Sequence, residues 1–427
     1  MSTEENNSIR IAVVLNILFT ILIALKGISP YCSRNLSSML FFYFFIGWII
    51  TACMVKGLKV CLGSRNVLFI ASYMLLLWQI LMRAIGNSSL VWANYIFRIA
   101  LYALPLISAF IIHNYNLKEK RILIVGLIIL SFYNIIDNII LWQNNPSAFV
   151  GLYFTSYVSN RLTNAGGTEF NAFCMFLLPS LFLLYLREKR KPYRMLNLSL
   201  IIITCYTLLF VCPHATALLL SVALVFILVY ILLFGSNKRK LSYAILVGIM
   251  FSVLLALLLP IILNWLADVV KSTNVSTKIS TIVSVLQGTH IEDTSGSFVE
   301  RWHMAQVSIN TFLGSFSNFL FGIGEHGVGQ SLSDFTQAGI GGHSEYLDYL
   351  AKYGVIGSLF MVLAVRAWIR YIVSLNTSEN IKAISKIVCV LFVVYSFLNK
   401  SYKLEIFVPL FVVFPIILDY VSLYRQD

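Results

Sequence analysis

Apolar residues run along this chain in blocks of roughly 17–25, the length that carries a helix across ~30 Å of hydrocarbon. Short polar breaks separate the blocks. The pattern predicts membrane-spanning helices near 10–29, 38–55, 66–83, 89–112, 121–143, 170–186, 196–212, 215–234, 242–266, 354–374, 384–400 and 403–422, about twelve in all. Two breaks are longer, 144–169 and 268–346. The second reads in part "GTHIEDTSGSFVERWHMAQ" and "GIGEHGVGQSLSDFTQAGIGGHSEY". It is rich in Gly and Ser but also holds Trp302, Phe312, Phe316, Phe319, Phe321 and Phe335, and a disordered linker is poor in aromatics. Short helices that lie on the membrane and cover a cavity are expected there. There is no internal repeat, heptad pattern or soluble domain, so residues 1–427 read as one integral membrane domain.

Composition fixes the class. The chain is 59% hydrophobic and 11% charged, where a soluble domain carries about 25% charged residues. The expected fold is an all-α polytopic membrane protein. The start, "MSTEENNSIR", has Glu4 and Glu5 and lacks the basic region and small-residue cleavage site of a signal peptide, so Met1 to about Ile28 reads as an uncleaved first span. The seven cysteines are scattered, most of them within spans, and no pair has metal-ligand spacing. No cofactor is expected.

Net charge is +13, but topology accounts for it better than nucleic acid does. Lys56, Lys59 and Arg65, then Lys118, Lys120 and Arg121, fall in alternate loops. The run Arg187 to Arg194 and then Lys238, Arg239 and Lys240 follow in the same alternation. The intervening short loops hold Arg34, Arg83 and little else. Basic loops face the cytoplasm, which places both termini inside and both long breaks outside. Nucleic-acid binding is excluded on this distribution.

The outer segments carry the candidate chemistry. The first gives Arg161 in "SNRLTNAGGTEFNAF"; the second gives Glu300, Arg301 and His303 in "ERWHMAQ", then His343 and Glu345 in "GGHSEYLDYLAKYGVIG". Arginine grips phosphate with a bidentate fork, and histidine accepts a proton near neutral pH. Together they fit a pyrophosphate leaving group and a hydroxyl nucleophile. Each alone also has a plain reading: arginines sit at lipid headgroups, and a histidine at a helix start caps or packs. By helical spacing His343, Leu347, Leu350 and Gly354 share the face expected to meet the bundle. Two intramembrane groups add to the set. Arg98 lies about 14 Å into its span at 1.5 Å per residue. It either pairs with Asp137 on the next span or meets a lipid phosphate.

"GGHSEYLDYLAKYGVIG" resembles the His–Ser/Asn–x–x–Leu…Gly signature of the O-antigen ligase and O-antigen polymerase superfamily. The stretches around Arg161 and around Arg301, the latter ending in Gly-x-Gly, resemble that family's arginine-bearing outer stretches, in the same order. The resemblance covers about residues 150–360 by motif and the rest by hydropathy. It implies a metal-independent, inverting glycosyltransferase of glycosyltransferase-C-like fold in a bacterial inner membrane. The donor would be an oligosaccharide on undecaprenyl pyrophosphate at the periplasmic face. It further implies Arg301 as a pyrophosphate clamp, His343 as base or organiser of the acceptor hydroxyl, and Arg161 as a second charge on phosphate or sugar. Arg98, His303 and Glu345 are further candidates from the residues themselves for binding phosphate or glycan. A chain-length-determining co-polymerase would be the family's partner. One departure stands out: "VCPHATALLL" puts His214 where the family often has a phosphate-binding Arg. His214 is either a clamp that a bound anion protonates or a polar helix start behind Pro213. The stretch from His343 is closer to the polymerase branch, with the ligase as alternative. A lipid-linked glycan flippase is the rival of another class.

Overall fold

A computed structural model describes residues 3–28, 38–56, 67–85, 92–144, 168–211, 215–234, 246, 250, 298–324, 339–342, 344–375 and 378–423. The helices, in chain order, are α1 (Thr3–Ile28), α2 (Ser38–Lys56), α3 (Val67–Ile85), α4 (Trp92–Asn114) and α5 (Leu117–Asn144). Then come α6 (Thr168–Arg187), α7 (Lys191–Tyr206, extended by a π-helical turn Thr207–Val211) and α8 (Ala215–Phe234). The remainder are α9 (Phe298–Leu313), α10 (Phe316–Phe321), α11 (Glu345–Ser374), α12 (Glu379–Leu398), α13 (Leu404–Val408) and α14 (Phe414–Leu423), the last two joined by a π-helical turn. No strand occurs among the described residues.

Eleven of the predicted spans coincide with helices. The twelfth, 242–266, lies outside the described residues apart from Leu246 and Met250. Within the segment 268–346 the described residues form two helices, α9 and α10. Many large apolar side chains are exposed, among them Val14, Leu18, Leu77, Ile129, Val362 and Val390. Exposed apolar surface on that scale needs lipid as solvent, and the chain is a membrane protein.

The chain divides into two compact units. One comprises 1–131, 301–376 and 392–427; the other comprises 132–300 and 377–391. In the first, α1 and α2 are pinned by a polar network within an apolar pair. Asn16 Nδ2 donates to the Trp48 carbonyl (2.9 Å) and to Thr51 Oγ1 (2.8 Å), while Trp48 Nε1 donates to Thr20 Oγ1 at 3.1 Å. The Tyr115 hydroxyl closes it on Asn16 Oδ1. Around Trp368, fully buried, gather Phe407 and Phe411, with Phe392 against both; the Trp368 indole N–H donates to Ser72 Oγ at 2.9 Å.

Lys120 does not behave as the loop cation its position suggests. It is 2% exposed; its Nζ lies 2.6 Å from Asp419 Oδ2 and donates to the Ile112 carbonyl at 2.8 Å. In the second unit α6 is buried along nearly its whole length, from Phe170 to Leu183. This is the fate of a helix that is apolar all round.

One feature of the first unit sets up the site. Helix α11 breaks at Gly354, whose φ of 61° and ψ of −166° are non-helical. The break frees the carbonyls of Ala351 and Lys352, and the end of α10 supplies their donors: Ile323 N at 3.0 Å and Gly324 N at 2.8 Å. A Cβ at Gly322 (φ 74°) would overlap the Lys352–Tyr353 backbone, and one at Gly354 would overlap Leu320–Phe321. Two backbones in such contact require glycine on both sides. The predicted span 354–374 is thus the second part of α11, and Glu345–Tyr353 forms a separate leading segment.

Candidate functional site at the start of α11

Helix α9 buries Met304 and Ser308 and leaves Trp302 and His303 exposed. The segment 339–342 lies across it. Gly341 N donates to Ser308 Oγ at 2.8 Å, and a Cβ at Gly341 would overlap the Met304 carbonyl. Gly342 (φ 81°) turns the chain into α11 and donates its N–H to Asp348 Oδ1 at 3.0 Å. The Ser308 hydroxyl donates to the same Oδ1 at 2.8 Å. Ser344 is the N-cap of α11, its Oγ accepting from Leu347 N at 3.5 Å. The two glycines make a tight entry into α11.

Glu345 is tied to the loop between α12 and α13. Its Oε2 accepts from Ser401 N (3.0 Å) and Tyr402 N (3.2 Å), and its own N–H donates to the Asn399 carbonyl at 3.4 Å. Further in, Gln79 Nε2 donates to Tyr102 OH (2.7 Å) and Tyr349 OH (2.8 Å). The Tyr349 ring lies 4.4 Å from that of Tyr353, and Tyr402 meets Tyr102 edge-on at 5.9 Å. Four buried atoms here have no hydrogen-bond partner: Asp348 Oδ2, Asn399 Nδ2, Ser401 Oγ and Tyr402 OH. Buried polar atoms are nearly always paired, so four orphans within one locality mark a polar cluster built for more than packing.

The loop also gathers charge. Burial, then Lys352, then Lys403, lower the Lys400 ammonium to about 8, against the opposing pull of Asp348 and Glu345. Burial, helped by Tyr102, Tyr349 and Glu345, pushes the Tyr402 phenol well above its ordinary range and keeps it a donor. Three lysines and two carboxylates therefore sit around the N-terminal end of α11, itself favourable to anions. Among the described residues, no group of three or more His, Cys, Asp or Glu side chains is placed to hold a metal.

Of the residues singled out by sequence, His343, Arg161 and His214 lie outside the described residues. Arg98 and Arg301 are described in backbone only, on α4 and α9. His303 is exposed on α9, and Asp137 is half-buried on α5. The structure brings together the helix that carries Arg301, the turn that leads into His343, and Glu345. Of the face expected to turn inward, Gly354 is buried, but Leu347 and Leu350 are only half-buried, and Asp348, Tyr349, Ala351 and Tyr353 are buried instead.

Sequence reasoning also passed over Ser308, Asp348, Gln79 and Lys400. For Lys400 and its neighbour Lys403 a signal existed, because two cations at the facing ends of the predicted spans 384–400 and 403–422, a junction that the alternation assigns to the outer side, run against the positive-inside pattern.

Residues 214–362, about a third of the chain, match the family described as O-antigen ligase. The match supports the O-antigen ligase and polymerase superfamily, whose members are glycosyltransferase-like enzymes, and does not separate the two branches. It begins at His214 and takes in α9, the glycine turn and the first part of α11. No curated protein matches the chain.

Proposed function

We propose that the chain is a membrane glycosyltransferase that joins undecaprenyl-pyrophosphate-linked glycan repeats into a surface polysaccharide, the polymerase form of the O-antigen reaction. The observation that carries this is the linkage of two elements inside the matched region: the helix bearing Arg301 and the turn entering His343 meet through Ser308 and Asp348. A displacement at an anomeric carbon needs an anion clamp and a proton acceptor held in fixed relation.

In this reading an acceptor hydroxyl attacks the anomeric carbon of the donor. The carbon–oxygen bond to pyrophosphate breaks, and the lipid pyrophosphate leaves with the electron pair. The acceptor proton passes to His343. Arg301, with Arg161 and a protonated His214, balances the charge that develops on the leaving group, and Arg98 extends that path within the membrane. One in-line step inverts the anomeric centre. His303 and Glu345 line the glycan side. The donor-rich set of Asn399, Ser401 and Tyr402 has the chemistry to hold sugar hydroxyls.

The site would face the periplasm, with both termini in the cytoplasm. A chain-length-determining co-polymerase is the partner this activity calls for. The family description itself favours a second reading, transfer of the glycan to a lipid A core.

The test uses purified protein in liposomes with an undecaprenyl-pyrophosphate-linked repeat as sole substrate, with and without lipid A core. A ladder without core establishes the polymerase, and product only with core establishes the ligase. His343→Ala should lower transfer by ~10²–10⁴, as loss of a general base does. Arg301→Lys, which keeps charge but loses the fork, should also be impaired. No product under either condition overturns the reading and brings the flippase forward.

A further inference from the structure

We infer that Ser308 and Asp348 are positioning residues that set the place of His343, an assignment that rests on the glycosyl-transfer reading above. The peptide N–H groups of the two residues before His343 are both fixed by side chains. Gly341 donates to Ser308 Oγ at 2.8 Å and Gly342 to Asp348 Oδ1 at 3.0 Å. The two acceptors are themselves joined, since the Ser308 hydroxyl donates to Asp348 Oδ1 at 2.8 Å. Ser308 is 0% exposed and Asp348 5% exposed, so water does not compete for these bonds. On the other side of His343, Ser344 caps α11. The described residues on both sides of position 343 are therefore anchored.

The arrangement does a second thing. Ser308 stands seven positions after Arg301 on α9, and Asp348 stands five after His343 on α11. Two bonds to glycine amides and one between side chains thus couple the helix that carries Arg301 to α11 and the glycine turn before it. A hydroxyl that accepts from one amide and donates to a carboxyl is used in both senses. Asp348 Oδ1 receives two donors while Oδ2 receives none. A residue that only stabilised the fold would not need a buried oxygen left unmatched. What the pair fixes is the direction of a glycine turn that has no side chains of its own to fix it.

The experiment reads His343 directly, without turnover. Full-length protein in liposomes is treated with diethylpyrocarbonate, and carbethoxylation of each histidine is followed by peptide mass spectrometry, with His113 as internal reference. Ser308→Ala and Asp348→Ala should each raise the His343 rate several-fold and leave His113 unchanged. Asp348→Asn keeps an acceptor oxygen and should stay near wild type. In parallel, transfer should fall through kcat rather than through KM for the donor in the two Ala variants, and recover in Asp348→Asn.

Unchanged His343 reactivity in both Ala variants overturns the proposal, as does an Asp348→Asn variant as altered as Asp348→Ala. If Asp348→Ala does not insert, the Ser308→Ala and Asp348→Asn pair decides the matter alone. A wild type that makes no product while His343 reactivity responds as expected upholds the clamp and overturns the glycosyl-transfer reading.

Discussion

Two buried aspartates in the same unit are satisfied in opposite ways. Asp419 meets the Lys120 ammonium at 2.6 Å, and that lysine is completed by a backbone carbonyl. Asp348 meets a hydroxyl and a glycine amide through one oxygen and nothing through the other. The first is a closed ion pair that ties the α4–α5 turn to α14. The second is an open arrangement at the entry to α11, under a turn that carries a titratable residue. Charge balance marks where the molecule is only held together, and its incompleteness marks where something else must act.

The sharpest way to break the comparison is to unbalance the closed pair. Lys120→Met leaves Asp419 buried without its cation, which costs about 3–5 kcal/mol, and the thermal midpoint in detergent should drop accordingly. The double variant Lys120→Met/Asp419→Leu should recover most of the loss, because an apolar replacement of a buried pair is often neutral. Transfer by the folded double variant should match wild type. A double variant as unstable as the single one would show that the pair is not a self-contained unit.

Gly354→Ala should come next in size. It forces a left-handed backbone on a residue with a Cβ and drives that atom into Leu320 and Phe321; such strain costs about 1–3 kcal/mol. Limited proteolysis between α10 and α11 should accelerate. Unchanged cleavage would mean that the break tolerates a side chain.

The smallest effect concerns Lys400. Its native value is lowered from 10.5 to about 8. Between those limits the unfolded chain binds a proton that the native chain does not, so stability rises with pH across that window. Wild type should therefore gain stability from pH 8 to 10.5 relative to Lys400→Met. The variant should be the more stable of the two at neutral pH, where the native ammonium is charged at a penalty. Parallel pH curves would remove Lys400 from the buried cluster.

Much of this molecule was legible in its hydropathy. Span positions followed from block length, because a helix in lipid must keep its backbone bonds internal. The inward face of α11 was not legible, and the reason is physical. In water an apolar stripe points to the core, but lipid is as apolar as leucine, so the stripe loses its direction. Spacing predicts Leu347, Leu350 and Gly354 on the inner face; Gly354 is there, but Asp348 and two tyrosines stand in place of the leucines. Lys120 was misread by a related route, since a loop cation and a buried one look alike without Asp419, 299 positions away. The Ser308–Asp348 bond spans 40 positions and two elements, and no local pattern encodes it.

The interruption of α11 has a mechanical side. Where a helix is continuous, a pull on its first turns passes down an unbroken ladder into the span below. At Gly354 that ladder stops, and the carbonyls of Ala351 and Lys352 are bonded instead to the Gly-Ile-Gly end of α10. A load on Glu345–Tyr353 is therefore shared sideways into α10, and the twenty residues that follow the break are spared it. The leading segment behaves as a coupling sleeve: a pull on its first turn would load two hydrogen bonds to the end of α10, leaving the span below at rest.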